Sequence, residues 1–85
     1  MPNESAKRKL ITLASKVQGR QITPVEDVRI DRVLATAPKP KTRGDVRKLL
    51  AESINASEHD VLVKLAASDD NDRILDDIIN ELGKP

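Results

Sequence analysis

The sequence predicts an all-α fold: a small single-domain bundle of four to five short helices with an aliphatic core. At 85 residues the chain is too short for two separate cores, since each would bury too little surface to offset the entropy of the ordered chain. Hydrophobic residues make up 38% of the chain, but Phe, Tyr and Trp are absent, so the core must consist of Leu, Ile, Val and Ala. Helix-start signals recur along the chain, and apolar residues follow most of them at helical spacing.

Helix starts are predicted near residues 5, 24, 43, 58 and 70. Thr23 is a capping residue followed by Pro24 at the first helical position and by Glu26, three residues after the cap. Segments that begin at Thr42 and Ser57 repeat the Ser/Thr-x-x-Asp pattern, and residues 68–70 place a Ser and two Asp before the last apolar run. These short-range signals divide the whole chain into helices.

Apolar spacing identifies the buried faces of most of these helices. The faces comprise Leu10, Leu13, Ala14 and Val17 in the first helix, Val46, Leu49, Leu50, Ser53 and Ile54 in the third, and Ile74, Leu75, Ile78, Ile79 and Leu82 in the fifth. The fourth is apolar around most of its circumference through Val61, Leu62, Val63, Leu65, Ala66 and Ala67. This pattern predicts that the fourth helix is the largely buried centre of the bundle.

The second segment, residues 24–35, allows two interpretations. Its apolar residues form two sets, with Ile30, Val33 and Leu34 on one helical face and Val25 and Val28 nearly opposite. Residues 28–31 also fit the alternation of a strand. We favour a helix because the start signal at residues 23–26 is stronger than four residues of alternation, and partial strand stays the alternative.

Charge is unevenly distributed along a chain whose net charge is only +1. Residues 1–48 hold twelve Lys or Arg against five acids, and residues 49–85 hold three against nine, which gives net charges of +7 and −6. A linker at residues 37–41, where two prolines prevent regular structure, lies just before the end of the basic half. We therefore describe one helical domain, residues 1–85, with a basic half and an acidic half.

Two candidate binding surfaces follow from this division. The basic candidates, which suit nucleic acid or an acidic partner, are Lys7, Arg8, Lys9, Lys16, Arg20, Arg29, Arg32, Lys39, Lys41 and Arg43. The acidic candidates, which suit a basic partner, are Asp69, Asp70, Asp72, Asp76, Asp77 and Glu81. Either surface is alternatively a solvated face, or a face that docks on the oppositely charged half of the same or another copy.

No catalytic or metal-binding constellation is evident in the sequence, so we predict no enzyme activity, no cofactor, no metal and no small-molecule substrate. An EF-hand loop counted from Asp70 has Leu75 where glycine is required. His59 is the only histidine, and the chain contains no Cys to join it as a thiolate ligand or nucleophile. If the fourth or fifth helix read DNA as part of a helix-turn-helix, it would present carboxylates to the phosphates, which disfavours that docking.

Two functions from different classes remain. The first is a small protein-interaction or regulatory module whose bipolar charge orients a protein partner or a second copy. The alternative is a regulatory protein that binds DNA or RNA through its basic N-terminal half. Because the N-terminal residues lack an apolar signal segment and no window reaches the roughly 20 apolar residues of a membrane span, we expect no membrane insertion and a cytoplasmic location.

Overall fold

Five α-helices and short connections make up the structure, a computed structural model that describes residues 4–83. The helices are α1 (Glu4–Gln18), α2 (Pro24–Thr36), α3 (Arg43–Ile54), α4 (Glu58–Leu65) and α5 (Asp70–Gly83). The all-α prediction is confirmed, and each predicted helix start agrees within one residue. Residues 1–3 lie outside the described residues, so the structure does not test the prediction that the N-terminus lacks a signal segment. Lys84 of the acidic half also lies outside them.

Side-chain caps explain why α2 and α3 begin where they do. The backbone amide of Glu26 donates to Thr23 Oγ1, and the Glu26 carboxylate accepts from the amide of Thr23, which completes a capping box. Thr42 and Asp45 form the same reciprocal pair at the start of α3. Residues 24–36 are therefore helical, and the strand alternative for this segment is wrong.

Two helices end at residues with a left-handed backbone. Gly19 follows α1 with φ of 71°, a conformation that costs glycine little because it has no Cβ. Asn55 follows α3 with φ of 55°, and its amide donates to the carbonyl of Ala51. Asparagine tolerates this region better than most residues, so the chain can reverse between α3 and α4 within three residues.

All five helices contribute side chains to the core, and α1 and α3 each pack against the other four helices. The predicted buried faces of α1, α3 and α5 are confirmed: Val17, Ile74 and Ile79 are partly buried against the core, and their other members are buried. Ser53, the polar member of the α3 face, is fully buried and donates to the carbonyl of Leu49 at 2.8 Å. That hydrogen bond satisfies the hydroxyl without a partner from another helix.

The prediction that α4 is the buried centre of the bundle is wrong. Only Val61 and Leu65 of this eight-residue helix are buried, and Leu62 and Val63 are 45% and 54% exposed. The reason is tertiary: α4 lies at the edge of the bundle against α1 and α3, so only one side of it meets the core. The remaining apolar side chains of α4 are consequently available at the surface.

Candidate functional site

Several candidate basic side chains of α1 form ion pairs within the chain. Lys7 Nζ lies 2.7 Å from Asp27 and 2.9 Å from Asp31, both on α2, and these hydrogen bonds raise the pKa of Lys7. Lys9 Nζ lies 3.0 Å from Glu81 and 3.8 Å from Asp77, both on α5. These lysines therefore connect α1 to its neighbouring helices.

Arg43 links the start of α3 to the acidic helix α5. Its Nε and Nη2 atoms each donate to Asp76 at 2.8 Å, and its Nη1 lies 3.5 Å from Asp72. This bidentate pairing raises the pKa of the Arg43 guanidinium and holds the pKa of the Asp76 carboxyl below its usual range. Arg43, predicted as part of a binding surface, thus pairs with two of the predicted acidic candidates.

The remaining α1 candidates and Arg20 also have partners. Arg8 pairs with Glu4 one turn away at 3.1 Å, and Lys16 donates to Asn71 Oδ1 at 2.9 Å. Asn71 is buried and donates in turn to the carbonyl of Leu65, which connects α1, the end of α4 and the start of α5. Arg20 donates to the Glu26 carboxylate at 3.2 Å.

Glu26 is a buried acid at the first turn of α2. Its carboxylate accepts hydrogen bonds from the Gln18 side chain, the Thr23 amide and Arg20. Led by the Gln18 hydrogen bond, these donors lower the pKa of Glu26 from 4.5 to about 2, although burial opposes the shift. Glu26 therefore joins the end of α1 to the start of α2 as a structural carboxylate.

The basic candidates whose cationic groups form neither an ion pair nor a hydrogen bond within residues 4–83 are Arg29, Arg32, Lys39 and Lys41. Arg29 and Arg32 lie on α2, and the two lysines lie in the linker that joins α2 to α3. The structure therefore does not bring the ten basic candidates together as one continuous unpaired surface. Of the acidic candidates, Asp69 and Asp70 likewise form no ion pair in the described part of the chain.

Arg29 and Arg32 lie beside two exposed valines that we did not include among the predicted site residues. Val25 is 65% exposed and Val28 is 58% exposed. Together with Pro24 and the two arginines, they line a shallow depression on the outer side of α2, which we call the α2 patch. The opposite orientation of Val25 and Val28 relative to Ile30 was the sequence signal for this surface.

A second exposed apolar surface lies on α4. On an ideal helix, Leu62, Val63 and Ala66 occupy one outward arc, with Glu58 at one edge and Asp60 at the other. All five residues are exposed, and neither acid forms an ion pair in the described part of the chain. We call these residues the α4 patch. His59 lies within the same arc, and Lys64 lies beyond Asp60.

A shallow groove between the linker and α3 contains the two linker lysines, which form no ion pair in the described part of the chain. Lys39, Lys41 and Lys48 line it together with Asp45 and Glu52. Asp45 accepts from the amide of Lys41 at 3.0 Å, which holds the pKa of this carboxyl below its usual range. The formal charge of these five lining groups is only +1.

The acidic residues that an EF-hand loop counted from Asp70 would use as calcium ligands lie along α5 rather than around a loop. Asp72 and Asp76 face Arg43, and Asp77 faces Lys9, so three carboxylates of α5 are directed to cations of the chain itself. Among residues 4–83, no three or more His, Cys, Asp or Glu side chains converge as ligands for a metal ion.

Comparisons of the chain with protein-family models, with curated proteins and with solved structures found no match. In the described part of the chain, no helix combines the length and the apolar character needed to cross a membrane.

Proposed function

We propose that this protein is a non-enzymatic protein-interaction module that binds an acidic protein surface through the α2 patch. One observation carries the proposal: Val25 and Val28 are more than half exposed and lie next to two arginines that form no ion pair within residues 4–83. The buried centre of a protein interface is more apolar than the rest of the surface, and arginine is enriched at interfaces.

The side chains of the α2 patch are not part of the hydrophobic core. The opposite face of α2 buries Glu26, Ile30 and Val33, and the capping box at Thr23 starts the helix. Single exposed apolar residues are common on protein surfaces, but the α2 patch places two beside a proline and two arginines on one depression. These side chains are thus available for a partner without any change in the fold.

Charge complementarity favours an acidic partner. Lys7, Lys9 and Arg43 are held by carboxylates of the chain, whereas Arg29 and Arg32 present unpaired guanidinium groups. Guanidinium binds carboxylates through two parallel hydrogen bonds, and a positive patch speeds the encounter with a negative one. The partner that fits is therefore a protein surface with carboxylates around an aliphatic ridge.

Site-specific photo-cross-linking in cells tests this proposal. A benzophenone amino acid replaces Val28 in one variant and Thr12, which is exposed on α1, in a control variant. We expect irradiation to give a protein adduct at position 28 that resists nuclease, and none at position 12. Adding Arg29→Glu and Arg32→Glu to the position-28 variant should remove the adduct. A nucleic-acid adduct, or equal adducts at both positions, would contradict the proposal.

A second candidate function, binding of DNA or RNA, is favoured by the groove between the linker and α3. Lys39, Lys41 and Lys48 line this groove without a salt bridge in the described part of the chain, as a phosphate-binding surface requires. Asp45 and Glu52 in the same groove oppose a polyanion, which is why we rank this function second.

Fluorescence anisotropy with DNA and RNA probes tests this second function. Binding should weaken steeply between about 50 mM and about 200 mM salt, and Lys39→Glu with Lys41→Glu should weaken it further. Glu52→Lys, which adds a positive charge to the groove, should strengthen it. Reversing Lys7 or Lys9 is less informative because it also removes ion pairs that connect the helices. If the anisotropy of every probe stayed constant as protein was added at low salt, this function would be excluded.

A further inference from the structure

We infer that the partner of the α2 patch is the α4 patch of a second copy of this chain, so that copies associate head to tail. This inference rests on the proposed function and names the occupant of the same surface. Within residues 4–83, the exposed large hydrophobic side chains are Val25, Val28, Leu62 and Val63, two in each patch. The fold therefore leaves two uncovered aliphatic surfaces on two different helices.

The two patches carry opposite charge. The α2 patch has Arg29 and Arg32 beside its valines, and the α4 patch has Glu58 and Asp60 at the two edges of its apolar arc. None of these four groups has an ion-pair partner in the described part of the chain, so each is free to pair between copies. Apolar contact between the two patches would bring the arginines to carboxylates on the rim.

The positions of the two patches determine the kind of assembly. Both α2 and α4 pack against α1 and α3 through their buried sides, and their patches lie on the outward sides. One such contact uses the α2 patch of one copy and the α4 patch of the other. Such a heterologous contact forms a ring when the rotation between copies closes and a filament when it does not.

The charge halves of the chain do not supply this contact. Arg43 and Lys9 of the basic half already bind Asp76 and Glu81 of the acidic half within one copy. Association between copies therefore depends on the α2 and α4 patches rather than on a general attraction between the halves. Two short helices bury less surface than a stable complex of about 1,600 Å², so we expect a weak, salt-sensitive association.

Analytical ultracentrifugation of two charge-reversed variants, alone and mixed, tests the inference. The α2 variant carries Arg29→Glu and Arg32→Glu, and the α4 variant carries Glu58→Lys and Asp60→Lys. The average molecular mass of the wild type should rise with protein concentration between about 10 μM and about 1 mM. Each variant alone should associate at least about tenfold more weakly. Mixing the variants should restore association, because each reversed patch then meets a patch of opposite charge.

Matched controls separate this contact from general charge effects. Lys39→Glu with Lys41→Glu changes net charge by the same amount as the α2 variant but lies outside both patches, and it should associate as wild type does. Circular dichroism checks that each variant folds, and Glu58→Gln with Asp60→Asn provides a milder α4 variant that should weaken association by a smaller factor.

Monomeric wild type over the whole concentration range, or a mixture no heavier than its separate variants, would overturn the inference. An adduct at position 28 with a different protein, lost when Arg29→Glu and Arg32→Glu are added, would then still support the proposed function. Failure of the second-copy inference is therefore distinguishable from failure of the proposed function.

Discussion

Replacing Leu65 with alanine should destabilise the protein by about 2–5 kcal/mol, whereas replacing Leu62 should change stability by no more than about 0.5 kcal/mol. The two leucines lie one turn apart on α4, but Leu65 is 3% exposed and Leu62 is 45% exposed. Removing Leu65 leaves a cavity beside the core, whereas the side chain of Leu62 is already largely in water. Because small domains are stabilised by only about 5–15 kcal/mol, the first change should remove much of the folded stability.

Urea denaturation followed by circular dichroism measures both values. The Leu62→Ala variant is the matched control, since it makes the same chemical change in the same helix. Equal losses for the two variants would contradict the position of α4 at the edge of the bundle. A large loss of stability for Leu62→Ala alone would mean that the side of α4 with Leu62, and not the side with Leu65, faces the core.

Local chemistry made most of the helix boundaries predictable. Thr23 and Thr42 each have an acid three residues later, and the hydrogen bonds of a capping box form within those four residues. The buried faces of α1 and α3 were predictable for a related reason, because only one side of each helix is continuously apolar. In these elements, short-range signals and apolar spacing agree with the final packing.

The burial of α4 was not predictable from spacing. A helix with apolar residues on most sides fits a buried position, but it also fits an edge position with one side exposed. Which of these occurs depends on the packing of α1 and α3, whose contacts join residues far apart in sequence. Because the sequence prediction assigned the apolar side chains of α4 to the core, it did not identify the α4 patch as a binding surface.

Tertiary structure likewise determined which charged side chains pair with each other. The sequence shows a basic half and an acidic half, but it does not show that Lys9 meets Glu81, 72 residues away, or that Arg43 meets Asp76. Docking of the two halves within one copy was among the alternatives. The folded arrangement distinguishes paired candidates from unpaired ones, and it leaves Arg29 and Arg32 beside the exposed valines.

Replacing Glu26 with glutamine should make the protein less stable at neutral pH but not in strong acid. Hydrogen bonds from Gln18, Thr23 and Arg20 lower the pKa of this carboxyl from 4.5 to about 2 in the folded state. A carboxyl with a depressed folded pKa contributes stability above its unfolded pKa, and this contribution disappears as the pH falls through the folded pKa. The relevant window therefore extends from about pH 4.5 down to about pH 2.

The full shift corresponds to roughly 3 kcal/mol, and solvent screening at the half-exposed Arg20 reduces it, so we expect a loss of about 1–2 kcal/mol at pH 7. Urea denaturation at several pH values measures the free energy of unfolding of both proteins. Wild type should lose stability more steeply than the variant below pH 4.5, so the two curves should converge towards pH 2.

Glutamine is an informative replacement because it keeps the length of the side chain and one hydrogen-bond acceptor while removing the negative charge. Glu52→Gln, at an exposed position on α3, provides the matched control and should follow the wild-type pH profile. A difference between wild type and Glu26→Gln that is equally large at pH 2 and pH 7 would show that packing, not the ionised carboxylate, stabilises this junction. Convergence in acid would instead identify the Glu26 charge as the group that joins α1 to the start of α2, and so holds the helix that carries the α2 patch.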